Sequence, residues 1–401
     1  MTRIHPPSHV DVLIAGGGPV GGALALMLAD AGLSVAVAEA RSAPGQDARA
    51  LALAYASRVA LDRLGTWPAQ AATAIHTVHV SQQDGFGRVK LDRADLDLPA
   101  LGYVMPYHAL ASCIHQRLLA TDATRSGVHY LPGTAVTRLN SLDGYAAVEL
   151  TQAGSPALVT ARLVVLADGG RLLGEAGIAQ HTEPYDQLAL VAEVVADRPH
   201  HAVAYERFAH DGPIALLPIA DAADQAAGAG RYAVVWTRPA SDPLNIAALG
   251  DAAFLAALQA RVGERAGLLL AAGPRASFPL ALRWADAHHG RRIAVVGNAA
   301  QTLHPVAGQG FNLGLRDAEA LARMIRAVPP GEIGSSAMLE RYEASRRRDS
   351  VTTIGFTDGL IRLFNCRAAP IRHARGAGLV AIGQIDPLRR GFAQRMVFGT
   401  R

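Results

Sequence analysis

The sequence predicts an α/β fold: a doubly wound parallel sheet interleaved with an α+β domain that carries a mainly antiparallel sheet, followed by C-terminal helices. Mostly apolar runs, which are typical of buried parallel strands, occur at residues 10–14, 33–38, 163–166 and 291–296. Antiparallel strands separated by alanine- and glycine-containing loops are indicated at residues 189–195, 214–219 and 232–236. Apolar-rich or amphipathic patterns predict terminal helices at residues 352–364 and 385–398.

The first apolar run leads into a glycine turn and a helix. Gly16, Gly18 and Gly21 have the spacing G-x-G-x-x-G. The first glycine permits the tight turn, the second lets a pyrophosphate approach the backbone, and the third lets helix and strand pack closely. Glu39 ends the second strand, 18 residues after Gly21, where an acid accepts hydrogen bonds from a ribose. The pattern predicts a dinucleotide site without separating NAD from FAD; a plain structural βαβ unit is the alternative.

Two later stretches repeat the theme of a strand followed by glycines. Residues 163–166 lead into Asp168-Gly169, where an acid at a strand end can meet a ligand; a common Asp-Gly turn is the alternative. Residues 291–296 lead into a glycine-rich loop with Pro305, followed by a helix through about Ile325. The free N–H groups at that helix start suit the anionic pyrimidine edge of a reduced flavin.

Arg49 lies between a Pro-Gly loop and an amphipathic helix at 55–64. It is placed either to contact a phosphate or flavin edge or to be a solvated surface arginine. The sequence also predicts a hairpin at about 75–98 and a helix at about 245–262.

The composition restricts the class of protein. Half of the 401 residues are hydrophobic, which is enough for a large core, and the formal charge is +4. No apolar run of about 18 residues indicates a membrane span, and no leader pattern is present. Cys113 and Cys366 form neither a disulfide framework nor a metal cluster, so we expect a cytoplasmic protein without a metal. The charge is almost all arginine and accompanies no nucleic-acid motif.

The three glycine-containing stretches, taken in order, resemble the single-component FAD-dependent aromatic hydroxylases, the class A flavoprotein monooxygenases. The amino-acid sequence is similar to that of the ubiquinone-biosynthesis branch of the family at residues 47–53, 297–305, 308–317 and 352–358. The resemblance implies a Rossmann-like FAD-binding domain interleaved with a substrate domain. The implied division is FAD-binding domain at 1–74, 101–182 and 285–345, substrate domain at 75–100 and 183–284, and C-terminal helical segment at 346–401.

The resemblance also implies the residues that hold FAD. Glu39 would bind the adenosine ribose, Arg49 would lie near the flavin and pyrophosphate, and Asn298 would meet the ribityl region. The full set implied is Gly16, Gly18, Pro19, Val20, Gly21, Glu39, Ala40, Arg41, Arg49, Asp168, Gly169, Gly297, Asn298, Pro305, Gly308, Gln309, Gly310, Phe311 and Asn312.

Two motifs depart from the family pattern, at three positions. Asn298 stands where most of the wider family has aspartate, and its amide can still donate to and accept from a ribityl hydroxyl. Leu172 and Glu175 stand where the second motif of the family has serine and arginine. That motif is tied to NAD(P)H as well as FAD, so the docking of the reductant stays open. No second dinucleotide motif occurs, so NAD(P)H would bind transiently.

The implied reaction is hydride transfer from NAD(P)H to FAD, formation of a flavin C4a-hydroperoxide with O2, and attack on an electron-rich ring carbon. The favoured substrate is a polyprenylated phenol, 2-polyprenyl-6-methoxyphenol, giving the 1,4-benzoquinol. The chemistry belongs mainly to the cofactor, while the protein orients the phenol and excludes water. His304 borders the expected flavin face, either as a group that moves a proton or as a packing or hydrogen-bonding histidine.

Other functions stay open at this point: a sister hydroxylase acting on another ring carbon, an FAD-dependent isoprenoid reductase, or a non-catalytic flavin-binding assembly subunit. A flavin halogenase is disfavoured because Lys90 is the one lysine and the motif W-x-W-x-I-P is absent. The basic, amphipathic residues 385–398, preceded by an arginine run at 346–348, could lie on the inner face of a membrane or contact other ubiquinone-biosynthesis proteins. A helix packed on its own domain is the alternative.

Overall fold

The computed structural model describes residues 7–47, 49–83, 85–220, 228–242, 245–366 and 368–399; Ala48 of the segment 47–53 lies outside them. In this part of the chain the helices are α1 (Pro19–Leu28), α2 (Tyr55–Arg63), α3 (Tyr107–Leu119), α4 (Ala123–Ser126), α5 (Asp251–Val262), α6 (Gln309–Arg326), α7 (Ser336–Asn365), α8 (Ala369–Gln384) and α9 (Asp386–Phe398).

The strands of the same residues form three sheets. They are β1 (His9–Ala15), β2 (Val35–Glu39), β3 (Ala50–Ala54), β4 (Thr73–Ile75), β5 (Thr77–Gln82), β6 (Arg88–Asp92), β7 (Gly102–Pro106), β8 (Val128–Pro132), β9 (Thr134–Ser141), β10 (Ala146–Gln152), β11 (Ser155–Leu166), β12 (Gln180–Ala196), β13 (Val203–Ala209), β14 (Gly212–Ile219), β15 (Gly230–Pro239), β16 (Leu269–Ala272), β17 (Ala276–Ala285), β18 (His289–Gly290), β19 (Ile293–Val295) and β20 (Gln301–Thr302).

The first sheet is the doubly wound parallel sheet that the apolar runs predict. Its strand order is β18-β19-β11-β1-β2-β8, and only the β18–β19 pair on this path is antiparallel. Its central strands are mostly apolar because both faces are covered. Helices α1, α3, α6 and α7 pack on one face. The antiparallel layer of β9, β10 and the first half of β11 packs on the other.

The second sheet is the mainly antiparallel one. Its order is β20-β17-β12-β15-β14-β13-β5-β6, with β16 paired to β12. Among the described residues of this second sheet, β13–β5 is the one parallel pair. Its outer face is covered by α5, where Trp236 and Phe254 are buried. On its inner face, Ala204 and Leu217 pack near Val104 of the small sheet β3-β7-β4. The predicted hairpin at 75–98 is β5–β6, which joins this second sheet.

Two predictions about helices need correction. The helix expected at 245–262 is a short 3-10 turn at Ile246–Ala248 followed by α5, because Gly250 is the N-cap of α5 in an extended conformation. The expected division at 345/346 falls inside α7, which is continuous over 30 residues. Arg346, the first residue of the arginine run at 346–348, is buried.

The C-terminal helices close over the β5–β6 hairpin. Ala393 and Val397 of α9 are buried with Leu91 of β6 in one apolar cluster. Arg389 donates to Asp95 at 2.9 Å. One face of the segment 385–398 therefore packs on its own domain.

Candidate active site

The glycine turn before α1 has the geometry that the spacing predicts. Gly16 has φ +108°, and a Cβ built on it would lie 2.5 Å from the Ala167 carbonyl oxygen. A Cβ on Gly21 would lie 2.0 Å from the Gly16 carbonyl oxygen. A Cβ on Gly18, the N-cap of α1, would approach only the Tyr107 hydroxyl, at 3.9 Å. The first and third glycines are therefore required by packing, while the second leaves space in front of the helix.

Glu39 ties the end of β2 to this turn. Its carboxylate accepts hydrogen bonds from the Gly17 N–H at 2.8 Å, the Arg41 N–H at 3.1 Å and the Arg41 Nε–H at 3.0 Å. The hydrogen bond that Arg41 donates to Glu39 raises the pKa of Arg41. Two carboxylate oxygens offer about four acceptor positions, so capacity is left for a ribose hydroxyl. Ala40 lies between these two charged residues.

Asp168 lies directly beside the glycine turn, since the Cβ position of Gly16 is 2.9 Å from its backbone nitrogen. Its two carboxylate oxygens accept from the N–H groups of Gly170 and Leu172, each at 3.0 Å. The Asp-Gly turn, which was the alternative to a ligand contact, is therefore formed. Gly169 has φ +78° and open space at its Cβ position, so a ligand could still approach the backbone here.

The third glycine stretch packs directly on the first. Gly297 has φ +64°, and a Cβ on it would lie 3.2 Å from the Val20 side chain of α1. A Cβ on Gly314 of α6 would lie 2.9 Å from the Gly297 Cα atom. Pro19 opens α1 and is buried with Gly21. Asn298 is exposed at the edge of this contact.

Helix α6 begins at a glycine as α1 does. Its N-cap is Gly308, with φ +60°, and no side chain caps the first turn. A Cβ on Gly308 would lie 2.7 Å from the Ala52 Cβ atom, whereas Gly310 has open space. The first turns of this helix and of α1, which no side chain caps, are suited to bind anionic groups through their N–H groups.

The other predicted residues near α6 differ in exposure. Pro305 is exposed, and Gly310 and Phe311 are half-buried. Gln309 is buried, and its Nε2–H donates to the Met396 carbonyl oxygen of α9 at 3.4 Å.

Asn312, predicted to line the flavin, uses its whole side chain within the protein. Its Oδ1 accepts from the Ala54 N–H at 2.9 Å and the Ser57 hydroxyl at 2.7 Å. Its Nδ2 donates to the Ala52 carbonyl at 3.1 Å and the Gly308 carbonyl at 2.7 Å. All four positions of the amide are occupied, so the side chain holds β3 against α6 and only its backbone is left for a cofactor.

Arg49 is neither fully solvated nor unpaired. Its guanidinium forms a two-pronged ion pair with Asp47, with Nη2 at 2.6 Å from Oδ2, which raises the pKa of Arg49. The same guanidinium lies 5.5 Å from the ring centroid of Phe278 on β17. The Arg49 carbonyl accepts from the Tyr107 N–H at 2.8 Å. Arg49 thus lies between the parallel-sheet part of the molecule and the inner face of the second sheet.

His304 is 1% exposed, and its Nδ1 accepts from the Val306 N–H at 3.2 Å. Burial lowers its pKa to about 4, so the ring is neutral at neutral pH. Its edge meets the ring of Tyr185 with 5.2 Å between centroids. Burial also raises the pKa of Tyr185 to about 12. An exposed base that moves a proton does not fit this environment; a neutral hydrogen-bonding group does.

A buried ionic network behind the Gly297 turn was not predicted. Asp317 accepts from the Gly297 N–H at 3.2 Å and from Arg346 Nε–H at 2.7 Å. Arg346 and Arg316 both donate to Asp349 at 2.7 Å. Burial alone would raise the pKa of Asp349, but these two guanidinium groups bring it to about 2. Arg346 lies in an arginine run that reads as a solvated face, so the sequence carried no signal for the network.

The contacts above join the predicted residues into one region. Glu39 touches Gly17, Gly16 packs on the segment leading to Asp168, and Val20 packs on Gly297. These contacts converge at the carboxyl ends of parallel strands, where doubly wound sheets bind ligands. Two glycine-capped helix starts without side-chain caps open there. The arrangement fits a dinucleotide with a second anionic edge, as FAD has.

Comparison with known proteins identifies the class. The family model described as an FAD binding domain matches residues 9–356. Ubiquinone hydroxylase UbiL of Rhodospirillum rubrum is 36% identical, over 97% of this chain and 90% of that protein. The 3-demethoxyubiquinol 3-hydroxylase of Escherichia coli is 33% identical, over 95% of this chain and 96% of that protein. The chain belongs to the FAD-binding monooxygenase family, in its ubiquinone-biosynthesis hydroxylase branch.

The fold is also that of solved flavin enzymes. The crystal structure of p-nitrophenol 4-monooxygenase from Pseudomonas putida matches with a TM-score of 0.75 and 22% identity, covering 98% of this chain and 100% of that one. The predicted fold class, the FAD cofactor and the monooxygenase activity are confirmed.

Proposed function

We propose that this enzyme hydroxylates a polyprenylated phenol in ubiquinone biosynthesis, with FAD as cofactor and with NAD(P)H and O2 as co-substrates. The observation that carries the proposal is the identity of 36% with a protein named ubiquinone hydroxylase, extending over nearly the whole chain. The favoured substrate is 2-polyprenyl-6-methoxyphenol, hydroxylated at the carbon para to its hydroxyl group, which a phenol activates. The relative named 3-demethoxyubiquinol 3-hydroxylase makes another carbon of the same ring the second candidate.

The protein's part in this reaction is to hold the cofactor and orient the phenol. When bound, FAD supplies the reduction and oxygen chemistry. The space at Gly18 and the N–H groups of α1 would bind the pyrophosphate, and Glu39 would bind the ribose. The N–H groups at the start of α6, around Gly310, would meet the pyrimidine edge. Asn298 would donate to the ribityl chain.

The inner face of the second sheet is suited to bind an apolar aromatic ring. Phe278 and Leu280 alternate with outward residues on β17, and their partners on β12 are Ala189 and Gln187. Val235 of β15 lies on the same face. Its partner on β14 is Ala215, which is two residues before the inward Leu217 and therefore points to the same side. An apolar wall of this kind would hold an aromatic ring and keep water from the reaction.

Product analysis tests the proposal. The FAD-loaded enzyme is supplied with NADH or NADPH and either 2-polyprenyl-6-methoxyphenol or a demethoxyubiquinol, and products are identified by mass spectrometry. Oxygen uptake matched by one added oxygen atom supports hydroxylation, and the productive substrate fixes the ring position. Reduction of tail double bonds without oxygen uptake would instead indicate an isoprenoid reductase, and no turnover with either phenol would indicate an assembly subunit.

A peripheral position at the membrane belongs to the same proposal, because a polyprenyl tail resides in the bilayer. No helix in the described part of the chain has the length and hydropathy needed to cross a membrane. Exposed apolar side chains nevertheless occur on α8 and around the start of α9: Ile371, Val380, Ile385 and Leu388. Arginines on the same two helices would favour an anionic membrane surface.

Flotation with anionic liposomes tests the membrane contact. We expect Ile385→Glu with Leu388→Glu to reduce binding at least fivefold, since charges replace apolar anchors. Leu158→Glu is the control, because Leu158 is also exposed, more so than Ile385 or Leu388, but lies on β11. Equal liposome binding by all three proteins would contradict the membrane position. Point substitutions are preferable to truncation, since Ala393 and Val397 are part of the core.

A further inference from the structure

Two buried polar atoms near the start of α6 lack a hydrogen-bond partner in the described part of the chain. They are the Nε2 atom of His304 and the hydroxyl oxygen of Tyr185. The two rings meet edge to face, at 88° between their planes. Buried polar groups are nearly always paired, so two orphaned atoms on touching side chains point to a ligand that pairs them.

The backbone fixes which proton His304 carries. Its Nδ1 accepts a hydrogen bond from the Val306 N–H, so Nδ1 holds a lone pair. In the neutral ring the proton then resides on Nε2. The orphaned Nε2 atom is therefore a hydrogen-bond donor, and its missing partner is an acceptor atom.

Tyr185 is held in place by an irregularity of the second sheet. The register between β12 and β17 shifts between Pro184 and Gln187, and the intervening Asp186 has φ +52°. Bulges of this kind re-aim side chains beside active sites, and a left-handed aspartate costs backbone strain. The regular pairing of β12 with β17 is therefore interrupted where Tyr185 contacts His304.

The side chains that pack on Tyr185 in one cluster are apolar. Tyr185 packs with Leu282, Leu303 and Ile354. The nearby Arg362 is already paired with Glu183 at 2.9 Å and Asp358 at 2.7 Å. Because Arg362 is already paired, an uncharged aromatic ring with one hydroxyl would be more complementary to this site than a carboxylate or phosphate.

We propose that His304 and Tyr185 form the recognition site for the phenolic hydroxyl of the substrate. The phenol oxygen accepts from the His304 Nε2–H, and the Tyr185 hydroxyl, which can donate or accept, takes the remaining position. The inference rests on the proposed function, since it names what the enzyme recognises in a polyprenylated phenol. Both residues are positioning groups for the ring that is hydroxylated.

The test compares binding of a phenol with binding of its methyl ether. Short-chain 2-prenyl-6-methoxyphenol and its O-methyl derivative are titrated into oxidised, FAD-loaded enzyme without reductant, and the flavin absorbance change gives the Kd. The wild type should prefer the phenol. Tyr185→Phe deletes only the hydroxyl, and His304→Asn keeps an acceptor for the Val306 N–H but lacks Nε2. Each should reduce the preference by about threefold to tenfold, the range of one neutral hydrogen bond.

Tyr205→Phe is the matched control. Its hydroxyl donates to the Arg265 carbonyl at 3.0 Å, and its ring packs with the outer-face cluster of the same sheet. This variant should keep the full preference for the phenol. FAD content and the thermal midpoint of each variant are measured in parallel, and Tyr185→Phe should not lower either, because it removes an unpaired buried hydroxyl.

The outcomes separate this inference from the proposed function. If the wild type binds and hydroxylates the phenol but both variants keep its preference, the recognition site is wrong and the function stands. If the variants lose bound FAD, or lose affinity for the phenol and its methyl ether equally, the two orphaned atoms serve the cofactor. The proposed recognition site is again wrong in that case. If the wild type binds no phenol and makes no product, both proposals fail. Should His304→Asn not fold, Tyr185→Phe decides alone.

Discussion

The two helices that begin at glycine, α1 and α6, reach the same end by different means. The turn before α1 is built mainly by neighbours in sequence: Gly16 and Gly21 pack on each other, and the Gly17 N–H donates to Glu39 at the end of β2. Ala167, which follows β11, packs on both glycines from the other side. The start of α6 is held from a distance: Asn312 bonds to β3, about 260 residues away, and Asp317 bonds to Arg346 of α7. A local site can be recognised from spacing, while a site assembled across the chain cannot.

Removing the distant support should give the largest effect. Arg346→Met leaves Asp317 buried with an uncompensated charge, and we expect the free energy of unfolding to fall by about 3–5 kcal/mol. Urea denaturation measures it. Arg347→Met, one position along the same helix but exposed, is the control. A loss below about 1 kcal/mol for Arg346→Met would show that the network does not hold α6.

Damaging the local turn should cost somewhat less stability but abolish FAD binding. A Cβ at Gly21 would lie 2.0 Å from a backbone oxygen, so Gly21→Ala must shift the turn, at a cost of about 3 kcal/mol. Gly18→Ala meets nothing within 3.5 Å and should fold normally, with only weaker FAD affinity. Flavin content after gel filtration separates them; equal retention by both variants would contradict the assignment of the turn.

Lowering the pH should weaken the α6 region through His304. Its folded pKa of about 4 lies below the ordinary 6.5, so the folded state resists protonation; the stability is complete above pH 6.5 and is lost as pH falls toward 4. We expect about 2 kcal/mol of loss at pH 5, measured as the difference between wild type and His304→Asn. Identical pH profiles for the two proteins would show that His304 is not buried in its neutral form.

The carboxylate of Asp349 should act in a lower pH range. Its pKa of about 2 is below the ordinary 3.8, so its contribution is complete above pH 4 and is lost as pH falls toward 2. The two groups therefore predict two successive losses of stability on acidification.

The smallest effects should come from the two asparagines of the third stretch. Asn312→Ala leaves buried backbone groups unpaired and should cost about 1–2 kcal/mol. Asn298→Ala, at an exposed position, should change stability by less than about 0.5 kcal/mol while lowering FAD affinity. Thermal unfolding and FAD titration check the pair. A larger stability loss for Asn298→Ala than for Asn312→Ala would reverse the assignment of their roles.

The sequence predicts the fold and the local parts of the site because both depend on short-range rules. Apolar runs gave the parallel strands, and the G-x-G-x-x-G spacing gave the turn with Glu39 beside it. Tyr185 could not be found this way, because its role depends on a register shift between two strands. Nor could the partner of Asp317, since an arginine run looks the same whether buried or solvated.

A crystal structure of the enzyme with FAD tests the central claim most directly. The account predicts one FAD whose pyrophosphate lies at the start of α1, whose ribose meets Glu39, and whose pyrimidine edge lies at the start of α6. An FAD that binds at the α1 turn but whose ring lies away from Gly308 and Gly310 would contradict it, because the two glycine-capped helices would then not share one cofactor.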